Sequence, residues 1–364
     1  MRHRQLIGGF AALGMALAVA APGVAAAHDA RAGFLYTETN AAGGNAVLAF
    51  SRDSGGRLTP DGSFSTGGQG SGTGLGSKGA VILAGHGHWL FAVNAGSNDI
   101  SVFRVRGDGG LTLTDRTDAA GSAPISLTSS ADLVYALDAG GAGNIAGFRF
   151  ADGDLHPIPG SQRPLSSTNT GPAEVAFSTD GRHLVVTEKT TSQLDTYRVD
   201  RRGRAGAPVT TASAGPVPFG FAFDTRNHPI VSEAANSTLS SYRLGAGGAT
   251  VVSASVPTGG IAACWVAISP DGRWAFDSNA HGGTISSFAI GHDGTLALAH
   301  SVAADTGTGS TPLDLAVTPD GGYLYVVEAG TNNLGGYRVG GGGSLATVPG
   351  TAALPAGATG LAVS

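Results

Sequence analysis

The stretch Leu90–Val105, LFAVNAGSNDISVFRV, contains a hydrophobic strand, a turn rich in Gly and Asn, and a second strand with an aromatic residue near its end. Versions of this pattern recur after Arg31, and the aromatic residues that mark them lie 45 to 53 residues apart. These aromatic positions are Phe50, Phe103, Phe148, Tyr197, Tyr242, Phe288 and Tyr337. Seven copies with this period predict an all-β fold, a seven-bladed β-propeller with four short strands in each blade.

The two ends of the chain predict how the ring closes. Gly360–Ser364 has the composition of an innermost strand with no hairpin after it. Gly33–Tyr36 begins a hairpin with no innermost strand before it. We therefore expect the two termini to share one blade, which removes the exposed sheet edges that invite aggregation.

Composition excludes several functional classes. The chain has 60 Gly among 364 residues and only 13% charged residues, which indicates short strands joined by many tight turns. Its net charge is −5, and its longest basic run is Arg201–Arg204, so nucleic acid is not an expected partner. Cys264 is the only cysteine, which excludes an internal disulfide. We expect a monomer that binds a small molecule.

The first 27 residues have the pattern of a secretory signal peptide. Arg2 and Arg4 supply the positive end, Leu6–Ala21 the apolar segment, and Ala25–Ala27 a small-residue cleavage site before His28. An uncleaved membrane anchor is the alternative, but the apolar segment is short for a span and is interrupted by glycines. No cysteine lies near the cleavage site, so no lipid-modified N-terminus is expected. These features predict a secreted protein, with a signal peptide at 1–27, one propeller domain at 28–364 and no membrane span after cleavage.

Three segments carry a resemblance to a known family: SPDGRWAFDSN at Ser269–Asn279, TPDGGYLYVVEAG at Thr318–Gly330, and LFAVNAGSNDISVF at Leu90–Phe103. In these repeats and turns the chain resembles the lactonase-like seven-bladed propellers. That family includes the propeller 6-phosphogluconolactonases and 3-carboxymuconate cyclases and is related to YVTN-repeat proteins. The resemblance covers Phe34–Ser364. It implies a propeller fold and a hydrolase activity on lactones.

One position departs from the family pattern. Phosphogluconolactonase-like members have a His in a Gly-Pro-His context at the start of an innermost strand. Here the corresponding segment is Gly171–Glu174, GPAE, and Ala173 occupies the His position. This substitution, together with the export signal, argues against cytoplasmic 6-phosphogluconolactone as the substrate.

A polar position recurs nine or ten residues before each aromatic residue. It is a carboxylate or a carboxamide in all seven repeats: Asn40, Asn94, Asp138, Glu188, Glu233, Asn279 and Glu328. Since the hairpins between second and third strands share one face of a propeller, we expect these residues to form an acidic ring around one mouth of the central channel. Like charges there would raise each other's pKa and supply a general base.

Two interpretations of this ring remain open. Asn and Asp at strand ends commonly bond to the local backbone and stabilise a turn. Glu is a poor turn former, so Glu188, Glu233 and Glu328 are the predicted catalytic residues. Asn40, Asn94, Asp138 and Asn279 are predicted to bind or orient the substrate.

The starts of the innermost strands offer further candidates on the same face. Glu174, Trp265 and Asp314 are predicted to bind substrate, with Trp265 either a stacking wall or a core residue. Cys264 has no activating His assigned to it and is interpreted as a buried, inert thiol. The run Gly67–Gly76, GGQGSGTGLG, lacks the Lys-Ser/Thr ending of a phosphate loop, so it is interpreted as a flexible connection.

Two functional hypotheses follow. The first is a secreted lactonase-like hydrolase of cyclic esters at the acidic mouth of the channel. The second is a non-catalytic extracellular propeller that binds a small ligand, a glycan or a protein at the same mouth. No cofactor is expected, although an acidic ring could also hold a divalent cation such as Ca²⁺ through oxygen ligands.

Overall fold

The computed structural model describes Met1, residues 32–350 and residues 352–364. Apart from Met1, the predicted signal peptide and its cleavage site lie outside the described residues. In the described part of the chain, no helix combines the length and the apolar character needed to cross a membrane.

Seven antiparallel sheets make up the fold. In six of them the strands follow one another in sequence from the innermost outward, and in blade 1 the innermost strand is the last strand of the chain. Blade 1 contains β1 (Gly33–Glu38), β2 (Ala46–Arg52), β3 (Leu58–Ser65) and the last strand, β30 (Thr359–Val363). Blade 2 contains β4 (Val81–Ala84), β5 (Trp89–Asn94), β6 (Asp99–Val105) and β7 (Leu111–Asp118). Blade 3 contains β8 (Pro124–Ser130), β9 (Leu133–Asp138), β10 (Asn144–Ala151), β11 (Asp154–Pro157) and the short β12 (Arg163–Pro164).

The second half of the ring repeats this arrangement. Blade 4 contains β13 (Pro172–Phe177), β14 (His183–Glu188), β15 (Gln193–Val199) and β16 (Ala205–Ala212). Blade 5 contains β17 (Pro218–Phe223), β18 (Pro229–Glu233), β19 (Thr238–Gly245) and β20 (Gly248–Pro257). Blade 6 contains β21 (Ala263–Ile268), β22 (Trp274–Asn279), β23 (Thr284–Ile290) and β24 (Leu296–Asp305). Blade 7 contains β25 (Pro312–Val317), β26 (Tyr323–Glu328), β27 (Asn333–Val339), β28 (Leu345–Thr347) and the short β29 (Ala352–Ala353).

The prediction of a seven-bladed all-β propeller is confirmed. In the described residues the one helical segment is a 3₁₀ turn, Gly341–Gly343, between β27 and β28. All seven repeated aromatic residues lie on the third strand of a blade and are buried. Each packs between sheets, and burying such a ring stabilises the fold by about 2 kcal/mol.

Ring closure by the two termini is confirmed as well. β30 is the innermost strand of blade 1 and pairs antiparallel with β1, with Leu35 opposite Val363 and Tyr36 opposite Ala362. The Ser364 backbone N–H donates to the Phe34 carbonyl at 2.9 Å. This pairing joins the last residues of the chain to the first strand.

Tyrosine hydroxyls link neighbouring blades at three places. On the second strands of blades 1, 3 and 7, Tyr36, Tyr135 and Tyr325 donate to the carbonyls of Gly109, Gly203 and Gly56, at 3.0, 2.7 and 2.6 Å. Each acceptor lies in a turn of the next blade around the ring. These bonds satisfy buried phenols and fix one sheet against the next.

Candidate functional site

One connection is much longer than its counterparts. Elsewhere the segment that leads to an innermost strand has five to seven residues, but the segment between β3 and β4 has fifteen, residues 66–80. We call this segment the strap. It includes the glycine-rich run that was interpreted as a flexible connection, and long loops of this kind are commonly functional.

The strap crosses one mouth of the central channel, and its backbone and the Ser77 side chain bond to blades 3, 4 and 6. Ser77 donates its hydroxyl to the Ile125 carbonyl at 2.7 Å and accepts the indole N–H of Trp265 at its own carbonyl at 3.1 Å. The backbone N–H of Lys78 donates to the Ala173 carbonyl at 3.2 Å. Ile125, Ala173 and Trp265 belong to blades 3, 4 and 6. The strap is therefore held in place by specific bonds across the mouth.

Asn40 fixes the exposed part of the strap. Its side-chain oxygen accepts the backbone N–H of Ser71 at 2.8 Å, and its amide N–H₂ donates to the Ser71 hydroxyl at 3.0 Å and to the Thr73 carbonyl at 2.5 Å. Asn40 was predicted to bind substrate, and in the structure it binds a loop of its own chain.

The ammonium group of Lys78 is the charged group of the strap, and it lies in the channel. Its ammonium lies 3.3 Å from Oε1 of Glu174 and donates to the Phe221 carbonyl at 2.8 Å. The second oxygen of Glu174 accepts the Phe221 backbone N–H at 2.6 Å. Both side chains are largely buried, with 17% of Lys78 and 6% of Glu174 exposed. An ion pair this well enclosed is screened far less than one on the surface.

Asp314 is the third charged group of the channel. Burial raises its pKa to about 7, and Glu174 acts in the same direction, while Lys78 and the backbone N–H groups of Gly79 and Leu361 oppose the shift. Its Oδ2 atom is buried and has no hydrogen-bond partner among the described residues. A carboxyl with a pKa near 7 and an oxygen that has no partner among the described residues is a candidate general base.

An aromatic wall lies beside these charges. The rings of Phe219 and Trp265 have centroids 4.8 Å apart, and the Lys189 ammonium lies 4.6 Å from the centroid of Phe219. Lys189 also donates to the Gly76 carbonyl of the strap at 2.7 Å. Burial lowers the pKa of Lys189 to about 8. Trp265, predicted as a stacking wall or a core residue, is 4% exposed, and its indole N–H is bonded to the strap.

Cys264 lies next to this wall and is buried. Burial raises the pKa of its thiol to about 12, and the nearby Asp277 adds to the shift. A thiol with so high a pKa holds almost no thiolate at neutral pH, so it is a poor nucleophile.

The channel itself contains a cavity of about 410 Å³. Lys78, Glu174 and Asp314 lie at one end of its lining, near the starts of the innermost strands. Leu83, Ser129 and Val363, near the ends of those strands, line the other end. The cavity is large enough for a small ring-shaped molecule and combines apolar walls with charged groups at one end.

The three predicted catalytic glutamates lie outside this cavity lining. Glu188 accepts hydrogen bonds from the backbone N–H of Ser166 at 2.9 Å and from the hydroxyls of Ser166 and Thr191, each at 2.5 Å. Its carboxylate therefore bonds to its own hairpin and to the connection before β13. In this arrangement the side chain stabilises loops, which is the turn-forming alternative that the sequence left open.

The carboxyl groups of Glu233 and Glu328 are likewise hydrogen-bonded to neighbouring parts of the chain. Glu233 is fully buried and accepts the Gly215 backbone N–H at 2.7 Å and the hydroxyls of Thr238 and Ser240 at 2.5 and 2.6 Å. Burial raises the pKa of Glu328, against hydrogen bonds from Tyr337 and Thr331. These partners come from the hairpin, the third strand or the preceding connection, so both side chains lie on the side away from the innermost strand.

The predicted amide and aspartate members also bond locally. Asn94 donates to Asp99 at 2.6 Å and to Ser101 at 2.8 Å. Asn279 accepts from Thr258 and donates to Ser286, each at 2.8 Å. Asp138 accepts from Asn144 at 2.8 Å. The structure thus places Asn94, Asp138 and Asn279 in the hairpins on the side of the ring that the strap crosses, whereas Glu174 and Asp314 lie in the channel.

Two lysines at this site were not among the residues predicted from the sequence. Lys78 and Lys189 are the only lysines in the chain, which otherwise uses Arg for its basic side chains. Both reach the same mouth of the channel, one from the strap and one from the β14–β15 hairpin. Because only two lysines occur in the sequence, they could have been recognised there as candidate site residues.

No set of three or more His, Cys, Asp or Glu side chains that could hold a metal ion occurs in the described ranges. In the channel the two carboxyls are accompanied by an ammonium, which already neutralises one of them.

A closed seven-bladed ring of antiparallel sheets defines this chain as a β-propeller. The family described as "Lactonase, 7-bladed beta-propeller" matches residues 28–158 and 229–359, and the chain belongs to this family. The predicted resemblance is thereby confirmed. Among curated protein sequences, none matches this chain.

Solved structures with the same fold include enzymes of different kinds. A candidate 6-phosphogluconolactonase of Bacteroides fragilis is 19% identical with a TM-score of 0.69, covering 91% of this chain and 98% of its own. The periplasmic gluconolactonase of Pseudomonas aeruginosa is 17% identical with a TM-score of 0.70, with the same coverages. The virginiamycin B lyase of Staphylococcus aureus is 16% identical with a TM-score of 0.53, covering 76% of this chain and 85% of its own. At such identities the likeness establishes the fold, and function depends on the site.

Proposed function

We propose that this chain hydrolyses cyclic esters inside its channel, with Asp314 as the general base and Lys78 as the cation that stabilises the developing oxyanion. The observation that carries the proposal is the buried, unpartnered oxygen of Asp314 near an enclosed ammonium. Membership of the lactonase family supports the substrate class.

The reaction balances with these groups. Ionised Asp314 takes a proton from a water molecule as the water oxygen bonds to the ester carbonyl carbon. Lys78 uses two of its three N–H groups on Glu174 and Phe221 among the described residues, and the third can donate to the oxyanion. When the ring C–O bond breaks, protonated Asp314 returns the proton to the leaving oxygen. The product is an open-chain hydroxy acid.

The decisive experiment compares two sets of carboxylates on a panel of five- and six-membered lactones. We expect Asp314→Asn to lower kcat/KM by about 10²- to 10⁴-fold, as removal of a general base does. Wild-type activity should rise with pH through about 7, because the base acts only when ionised. Asp154→Asn, an exposed carboxylate on β11, is the control variant. If Glu188→Gln abolished activity and Asp314→Asn retained it, the catalytic base would lie in the predicted ring of hairpin residues. That outcome would overturn the channel proposal.

A second candidate function is binding without catalysis. Two observations favour it: the strap covers one mouth of the channel, and Ala173 stands where the family pattern has His. This candidate predicts a lactone or sugar that binds in the channel without turnover and whose affinity falls in Lys78→Met. Isothermal titration next to the activity assay separates the two functions.

We also propose that the protein is exported and acts as a monomer. The charged, apolar and small-residue segments of residues 1–27 support export. N-terminal sequencing of the mature protein should begin at His28, and light scattering should give a single-chain mass.

A further inference from the structure

A groove of about 830 Å³ lies between blades 4 and 5, separate from the channel. Strands β14, β15 and β16 form one wall, and the β19–β20 hairpin, at Gly245, Ala246 and Gly248, forms the other. No residue lines both this groove and the channel cavity. The groove is large enough for a sugar-sized ligand, and Val209 offers it an exposed apolar surface.

Three arginines surround the groove: Arg182, Arg198 and Arg201. All three are exposed, and none forms an ion pair with another described residue. The two acids at the groove are engaged elsewhere. Asp180 accepts the Ser178 hydroxyl at 2.7 Å, and Asp200 accepts the Arg202 and Arg204 backbone N–H groups at 2.8 and 2.9 Å. The guanidinium groups therefore remain available to a ligand.

Thr196 gives the groove a buried polar group of its own. It is 3% exposed, and its hydroxyl has no hydrogen-bond partner among the described residues. Thr196 lies two residues before Arg198 on β15, so both side chains lie on the same face of the strand. A buried hydroxyl without a partner costs free energy, and a ligand that accepts a hydrogen bond from it would recover that cost.

His183 adds a titratable group. It lies directly opposite Arg198 in the β14–β15 ladder. Burial lowers its pKa, as do Arg198 and Arg182, whereas Asp180 opposes the shift. The imidazole is therefore neutral at neutral pH and gains a positive charge on acidification.

We propose that this groove binds an oxyanion, a phosphate or sulfate group, carried by a sugar-sized molecule. Guanidinium groups bind such anions through paired N–H donors, and the Thr196 hydroxyl supplies one more. The proposal is independent of the chemistry in the channel.

The test is isothermal titration of the full-length mature protein with four probes: inorganic phosphate, inorganic sulfate, glucose 6-phosphate and glucose. We expect both ions to bind, glucose 6-phosphate to bind more tightly because its sugar contacts the groove, and glucose not to bind. Arg198→Ala should weaken binding roughly ten- to hundred-fold, as loss of a hydrogen bond to a charged group does. Arg243→Ala, an exposed arginine at the equivalent position of blade 5, should leave binding unchanged.

Thr196→Val separates ligand binding from folding. Replacing an unpartnered buried hydroxyl by a methyl should keep or raise the melting temperature, so weaker binding in this variant cannot come from misfolding. Sulfate should bind more tightly at acidic pH, where His183 is protonated, than at pH 7.5. His183→Gln should reduce that difference, and the remainder comes from Asp195 on the opposite face of β15, whose pKa is raised to about 7. Against the opposing effect of desolvation, hydrogen bonds lower the pKa of Asp180 and of Asp200, so both carboxylates stay ionised over this range. Equal affinity in wild type, Arg198→Ala and Thr196→Val, or tighter binding of the free ions than of the sugar ester, would overturn the proposal.

Discussion

The carboxylate of Glu233 stabilises its hairpin through several hydrogen bonds. It is fully buried and accepts hydrogen bonds from a backbone N–H and from several hydroxyls on β19, β20 and the preceding connection. A carboxylate can accept that many donors because it has four lone-pair directions and a full negative charge. The same arrangement explains why a Glu can occupy the end of a strand, where its intrinsic propensity is low.

Glu233→Gln should therefore lower stability. The amide has one accepting oxygen in place of two, and the Gly215 N–H cannot reverse its role as hydroxyls can. We expect a loss of about 1–3 kcal/mol in the free energy of unfolding. The midpoint of urea unfolding measures it, with Asp154→Asn as an exposed control that shifts stability by less than about 0.5 kcal/mol. Equal midpoints for the two variants would show that the hydrogen bonds of Glu233 contribute nothing net.

Residue positions were harder to predict than the repeat. Phe50 pairs with Leu35, whereas Phe103 pairs with Leu90, so the counterpart of Asn94 in blade 1 is Thr39 and not Asn40. The spacing from the aromatic residue pointed to Asn40 because the first hairpin is longer than the others. Lys78 was missed for another reason: the path of a glycine-rich segment across the channel follows from contacts with distant blades, which no local pattern records.

At the scale of elements, the joint between blades 7 and 1 depends on a close approach at Gly56. Its φ of +86° lies in the left-handed region, and a Cβ there would lie 2.3 Å from Cε1 of Tyr323. Tyr323 and Tyr325 donate to the carbonyls of Ser54 and Gly56 at 2.8 and 2.6 Å. The turn after β2 is thereby held against the last blade.

Gly56→Ala should loosen this joint. The methyl group meets a packed aromatic ring in a backbone conformation that Ala adopts at a cost of about 1–3 kcal/mol. We expect a clear fall in melting temperature by calorimetry. Gly74→Ala is the matched control, since its Cβ would meet nothing within 4 Å and its φ is outside the left-handed region. A melting temperature unchanged by Gly56→Ala would show that the joint rearranges without cost.

The repeat and its closure were predictable from the sequence because strands, turns and buried aromatics are local, periodic features. Tyr36, Tyr135 and Tyr325 also repeat at one strand position, but their acceptors lie in a different blade. Contacts of that kind require the assembled ring.

For the whole molecule, buried carboxyls dictate how stability depends on pH. Burial raises the pKa of Asp138 to about 8, Asp118 adds to the shift, and a hydrogen bond from Asn144 opposes it. Burial also raises the pKa of Asp195 to about 7. Since an unfolded aspartate titrates near 4, the folded state binds more protons than the unfolded state between about pH 4 and pH 8. These two carboxyls therefore make the free energy of unfolding decrease as the pH rises through this range, and they outnumber His183, whose lowered pKa acts in the opposite direction.

We therefore expect a higher melting temperature at pH 5 than at pH 8.5. Asp138→Asn keeps the shape of the side chain and an acceptor for Asn144, but has no proton to lose, so the difference between the two pH values should shrink. Differential scanning calorimetry at both pH values tests this. A wild-type protein that is more stable at pH 8.5 would contradict the burial of these carboxyls in protonated form.

The two lysines have a practical consequence for chemical labelling. Because Lys78 and Lys189 are the only lysines in the sequence, an amine-directed acylating reagent has no side-chain target on the rest of the molecule. Lys189, whose pKa is lowered to about 8, holds a neutral fraction near neutral pH and should react when the strap gives access. A fluorophore attached to a lysine side chain in this way would report on the channel mouth, and the N-terminal α-amine is the other amine that the reagent can reach. For the same reason, coupling to an amine-reactive surface through side chains would attach the protein at this mouth of the channel.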